Sequence, residues 1–258
     1  MTQINADREP PTPATHAYLV WDHTVRGFHW INFLCVVALA GIGTVILWAD
    51  DLGVGNDGKL LLKTVHVWFG YLLAVNLAWR LIWAFVGSPF ARWRALLPGM
   101  QRTGPSMGAY LGGMSNPDAP RYLGHNPVAR LMVTALLLVL TLQALSGLVL
   151  AGTDIYYPPL GSWITGWVAA PGIDPATLVP YDQTGIDPDA WKEMRAFRSP
   201  IVAAHGWGFY VLLVLVLIHI AGVLYTEIHE GGAIVSAMFT GRKLLDRRPV
   251  DLDDPRPK

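Results

Sequence analysis

The sequence predicts an all-α membrane protein, a bundle of four transmembrane helices with an extended loop at its outer end. Three observations predict it. The 258 residues are 52% hydrophobic and carry a formal charge of zero, the composition of an integral membrane chain rather than of a large soluble one. Four long apolar stretches stand out, at residues 27–48, 60–86, 128–151 and 201–226. Each is long enough to cross a hydrocarbon core of roughly 30 Å at about 1.5 Å per helical residue. Finally, histidine, which is costly in lipid, recurs inside three of the four stretches.

The elements follow in order. Residues 1–24 form a polar, proline-containing tail without the basic start, apolar middle and small-residue cleavage site of a signal peptide, so the first span is expected to be retained. That span carries Arg26 and His29 near its start and Cys35 in its middle. A single cysteine excludes disulfides within the chain, a CxxCH haem-attachment site and an iron–sulfur cluster; Cys35 reads as a small core residue. The second span holds His66 and Arg80. The third holds no histidine, and the fourth holds His205 and His219. The segment 153–199 is rich in aromatics and prolines, which argues for a folded cap with a short helix near 188–197. Residues 25–230 thus form one four-helix domain, and 231–258 a charged C-terminal tail. Trp21, Trp30, Trp48, Trp68, Trp83, Trp163 and Trp167 flank the spans and read as interfacial anchors. His16, His23, His125 and His229 lie outside the spans and read as surface or interfacial residues.

Short-loop charge sets the orientation. Residues 87–126 carry Arg92, Arg94, Arg102 and Arg121 against Asp118, and the C-terminal tail carries Arg242, Lys243, Arg247 and Arg248. Residues 49–59 instead hold Asp50, Asp51 and Asp57 against Lys59, and 153–199 hold six acids against three bases. The positive-inside rule then places both termini in the cytoplasm and the acidic loops outside.

The four histidines sort into two pairs by depth. His29 begins the first span and His219 lies toward the end of the fourth, so both fall in the inner half of the bilayer; His66 and His205 lie near the outer starts of their helices. His205 and His219 are fourteen residues apart. That is just under four turns, on nearly one face and about 21 Å apart along the axis. An imidazole from each of two helices can hold one iron with a porphyrin between them, and two bis-histidine haem b groups stacked across the membrane account for all four residues: His66 with His205 outside, His29 with His219 inside. Gly70, Gly208 and Gly222 follow a histidine by three or four residues and would make room beside it; His29 has no such partner.

Arg80 follows His66 by fourteen residues and should point inward at the depth of the inner pair. No carboxylate lies mid-span to neutralise it. Haem propionates would, with Arg26 as a more exposed second candidate; the alternative is that Arg80 reaches the inner headgroups. Two other readings stand beside the haems. Membrane histidines also hydrogen-bond neighbouring helices, and a small His/Arg-lined proton or anion transporter would use the same residues without any haem. Zinc or di-iron centres would want HxxxH or ExxH clusters, which no span offers.

With the ligands in place, the chain resembles the bacterial cytochrome b561 family that includes the b-type subunit of membrane-bound nickel–iron hydrogenases. The likeness is carried by VRGFHW at 25–30, the His66 segment running on to RLIWAFVG at 80–87, GHNPVAR at 124–130 and HGWGFYVLLVLVLIHI at 205–220. It covers roughly residues 20–245. The resemblance implies a four-helix di-haem protein of the bacterial inner membrane, a respiratory component that passes electrons between a membrane quinone or quinol and a periplasmic redox partner, either a hydrogenase or a c-type cytochrome. It places axial ligation on His29, His66, His205 and His219 and matches Arg26 to an arginine before the first ligand. Membrane lipid is the expected surrounding, and nucleic acid is not an expected partner. The segment 153–199 departs from the hydrogenase-subunit pattern, which leaves the partner open. A membrane anchor whose haems serve only assembly is a further reading, and the acidic outer surface would suit a basic partner.

Overall fold

The computed structural model describes residues 15–99, 107–113, 116, 119–231 and 233–252. Arg102 and Asp118 of the orientation argument, and most of the N-terminal tail, lie outside the described residues. A strand, β1 (His16–Leu19), leads into helix α1 (His23–Leu47), then α2 (Asn56–Val86), two short helices α3 (Trp93–Leu96) and α4 (Met107–Gly113), α5 (Pro127–Ile155), α6 (Gly161–Val168), α7 (Pro188–Glu230), α8 (Ile234–Thr240) and a second strand, β2 (Arg242–Leu245). Helices α1, α2, α5 and α7 are each long and apolar enough to cross a membrane.

Local chemistry starts these helices. Asp22 caps α1 by accepting from the Val25 N–H at 2.8 Å, and Asn126 caps α5 by accepting from Ala129 N–H at 2.8 Å, with Pro127 in the first turn where no donor is needed. Asp187 caps α7 through the Asp189 and Ala190 N–H groups, again ahead of a proline. Helix α1 packs on α2, α2 on α5, and α5 on α7. Their shared core holds Cys35, Leu73, Leu77, Leu137, Leu140 and Leu212, while Leu34, Val75, Phe85, Leu138 and Leu217 face outward. Large apolar side chains turned out of a helix bundle suit hydrocarbon, where every backbone group is satisfied within its own helix.

The connections 49–55 and 156–187 lie at one end of the bundle, the cap end; the paired segments 16–19 and 242–245 lie at the other, the terminal end. At the cap end, Ile164, Val168, Leu178 and Met194 close a small core of their own, and Ala169 bridges Ile186 across the loop. The helix expected near 188–197 is not separate. It runs without a break into the fourth span despite Pro200, because Met194 is buried in the cap and holds the extra turns in register. The other spans are also longer than their apolar stretches, as polar turns at 23–26, 56–59 and 152–155 continue the helices.

The terminal end holds elements the apolar pattern does not announce. Strands β1 and β2 pair antiparallel, His16 opposite Leu245 and Leu19 opposite Arg242. Under them Val20, Trp21, Val25, Ala91, Leu123 and Ala237 form a second core. Trp21, expected at the membrane interface, is buried there, and Trp83 donates its indole N–H to Asp22 at 3.0 Å. Asp251, 1% exposed, accepts from the Leu123 and Gly124 N–H groups at 2.7 and 2.8 Å, and Lys243 donates to the Gly124 carbonyl at 3.0 Å. Residues 243–251 are therefore packed onto the 121–125 loop.

Candidate functional site

Helices α2 and α7 bring His66 and His205 together near the cap end, with ring centres 6.4 Å apart and ring planes at 73°. Both side chains are half-buried. Ser146 Oγ on α5 lies 2.8 Å from His205 Nδ1, and the same hydroxyl donates back to the Leu142 and Gln143 carbonyls at 2.7 and 3.2 Å. His66 Nδ1 is buried with no hydrogen-bond partner among the described residues.

Two glycines shape this pair. An added Cβ at Gly43 of α1 would stand 3.3 Å from His66 Cε1, and one at Gly147 of α5 would stand 3.4 Å from His205 Cε1. Each ring thus lies close against helix backbone at a glycine. Of the glycines chosen from the sequence, Gly208 packs against the Gln143 amide, whereas a Cβ at Gly70 or Gly222 would meet nothing within 4 Å. Spacing from the nearest histidine on the same helix misses Gly43 and Gly147, since each serves a ring on another helix. One signal was available: Gly43 follows His29 by fourteen residues, the offset that also separates His66 from Arg80 and His205 from His219.

The second pair lies toward the terminal end. His29 on α1 and His219 on α7 are both half-buried. His29 Nδ1 is buried with no partner among the described residues. Arg80 reaches the same depth and is 4% exposed: its guanidinium donates to the Ala91 carbonyl at 3.1 Å and sits 5.8 Å from the Phe28 ring centre. Arg26 donates to the Phe239 carbonyl and lies 2.8 Å from His23 Nδ1, while its Nε is buried with no partner among the described residues.

His125, expected at the surface, is packed instead. Its ring centre lies 4.9 Å from that of Trp21 and its Nδ1 is sealed from solvent. Burial, and then the positive charges of Lys243 and Arg130, push the imidazole down to about 3. His16 and His23 are exposed, and His229 stacks on Tyr225 one turn back.

Comparison with known proteins gives the same frame. The family model described as prokaryotic cytochrome b561 matches residues 20–241. A probable Ni/Fe-hydrogenase B-type cytochrome subunit of Rhizobium leguminosarum bv. viciae is 27% identical, over 89% of this chain and 90% of its own length. Proteins of the same description from Azotobacter vinelandii and Cupriavidus necator are each 25% identical, over 90% and 87% of this chain and 91% and 86% of their own lengths. No solved structure matches the chain at significance.

Proposed function

The chain belongs to the prokaryotic cytochrome b561 family, and on that footing we propose that it is a di-haem electron conduit, with one haem b between His66 and His205 and a second between His29 and His219. The family's work is membrane electron transfer with haem b, and four apolar helices suit a multi-pass membrane protein. The observation that carries the reading is the 6.4 Å between the His66 and His205 ring centres, which supports the cap-end haem. Two imidazoles placed on opposite sides of one metal ion, at the usual metal–nitrogen distance of about 2.0–2.1 Å, hold their ring centres roughly 6 Å apart. The buried, unpartnered Nδ1 atoms of His29 and His66 fit as well, since imidazole ligates through either nitrogen and the other then seeks an acceptor.

When bound, each haem supplies one-electron transfer between ferric and ferrous iron. The protein's part is placement. Ser146 fixes the His205 ring, Gly43 and Gly147 let α1 and α5 close on the imidazoles, and the leucine-rich core excludes water between the two sites. The fourteen residues from His205 to His219 carry the sites about 21 Å apart along α7, most of the way across a core of roughly 30 Å. Arg80 and Arg26 supply positive charge beside the terminal-end pair, where haem carboxylates would balance it.

The direction of the charged loops favours both termini in the cytoplasm of a bacterial inner membrane and the cap end in the periplasm. There Asp174, Asp182, Asp187, Asp189 and Glu193 favour a basic redox partner, a c-type cytochrome or a hydrogenase like the one in the relatives' descriptions. Quinol at the membrane is the proposed electron donor or acceptor. The test is reduction of the purified protein by a water-soluble quinol analogue, followed optically, and then reoxidation by a basic c-type cytochrome at rising salt. The proposal expects full b-type reduction and a reoxidation rate that falls with ionic strength. A protein that quinol leaves oxidised, or that contains no haem, refutes it.

A further inference from the structure

Three helices that surround the His66/His205 pair also bring charge together one to two turns nearer the cap. On α2, Lys63 precedes His66 by three residues; on α7, Arg198 precedes His205 by seven; on α5, Asp154 follows Gly147 by seven. Each offset returns to nearly the same helix face, so all three side chains stand over the pair. They meet: Lys63 Nζ lies 2.9 Å from Asp154 Oδ2, and Arg198 Nη2 lies 2.5 Å from Asp154 Oδ1. Tyr181 from the cap loop, held at a positive φ of 67°, lays its ring 5.2 Å from the Lys63 ammonium.

The charges do not balance. One carboxylate serves two cations whose side chains are only 22% and 15% exposed, and Arg198 Nε is buried with no partner among the described residues. A half-buried cluster with one positive charge in excess, at the edge of hydrocarbon, calls for another anion with acceptor oxygens. Lys59, one turn nearer the cap on α2, is already paired with Asp50. We propose that Lys63 and Arg198 hold the propionate carboxylates of the haem clamped between His66 and His205, with Asp154 spacing the two cations. This rests on the ligand pairing above and assigns that haem's orientation, propionates toward the cap.

The test is reduced-minus-oxidised infrared difference spectroscopy on protein loaded with haem isotope-labelled at its propionate carboxylates, together with redox titration. In Lys63→Met and Arg198→Met the labelled carboxylate bands shift. The cap-end haem becomes harder to reduce, by about tenfold in its reduced-to-oxidised ratio at fixed potential, or about 59 mV for one electron. Lys59→Met changes neither. Asp154→Asn frees both cations for the propionates and moves that haem the opposite way, which decides the matter if either methionine variant fails to fold. Unshifted carboxylate bands in all three variants overturn the assignment and leave the cluster a tie between helices. A wild-type protein that lacks the cap-end haem overturns the histidine pairing itself and this inference with it.

Discussion

Ser146 Oγ stands 2.8 Å from His205 Nδ1, so a hydroxyl on one helix holds an imidazole on the next by one nitrogen and leaves Nε2 for a ligand bond. Such outer contacts fix the ring and its tautomer, and losing one typically weakens a metal site by about 10–100-fold. Ser146→Ala should fold normally and release the cap-end haem faster to a soluble haem scavenger. Release of the other haem should be unchanged.

Gly43 and Gly147 set how close α1 and α5 come to the rings. At 3.3 and 3.4 Å a methyl alone is tight, and a branched side chain must displace the imidazole. Gly43→Val and Gly147→Val should each lose the cap-end haem and keep the other, halving haem per chain in a pyridine haemochrome assay. Gly41→Val, where a Cβ would meet nothing within 4 Å, should bind haem as the wild type does.

The four spans were legible because hydropathy is a local signal that lipid makes stringent, and the approach of His66 to His205 follows from their matched depth. Trp21 and His125 were misread for the converse reason. Each lies just outside a span, where sequence alone does not distinguish an interfacial ring from one buried by a distant segment, and here residues 237–252 supply that cover. The β1–β2 pair joins residues more than two hundred positions apart, and strands of four residues carry too little alternation to be seen. The continuous α7 was hidden by Pro200, a helix breaker whose cost is outweighed where the flanking turns are packed, as Met194 is.

Acid should loosen the terminal end. His125 is neutral in the folded protein down to about 3, against 6.5 for a free imidazole. Below 6.5 the unfolded chain takes up a proton that the folded chain refuses, so stability is level above that pH and falls as pH drops from 6.5 toward 3. The slope is up to about 1.4 kcal/mol per pH unit for one proton. Thermal unfolding in detergent across that range should show it, and His125→Gln should flatten it.

Asp251→Ala should strip two buried N–H groups, those of Leu123 and Gly124, of their acceptor. At about 1–3 kcal/mol for each unsatisfied donor, the loss should be roughly 2–6 kcal/mol. Limited proteolysis should then cut the C-terminal segment, while haem content stays intact.

Haem stoichiometry in single-histidine variants tests the account most directly. The wild type should carry two non-covalent haems per chain; His66→Ala and His205→Ala should each remove the same one, and His29→Ala and His219→Ala the other, told apart by their midpoint potentials. A single haem in the wild type, or His66→Ala and His219→Ala abolishing the same haem, would contradict it.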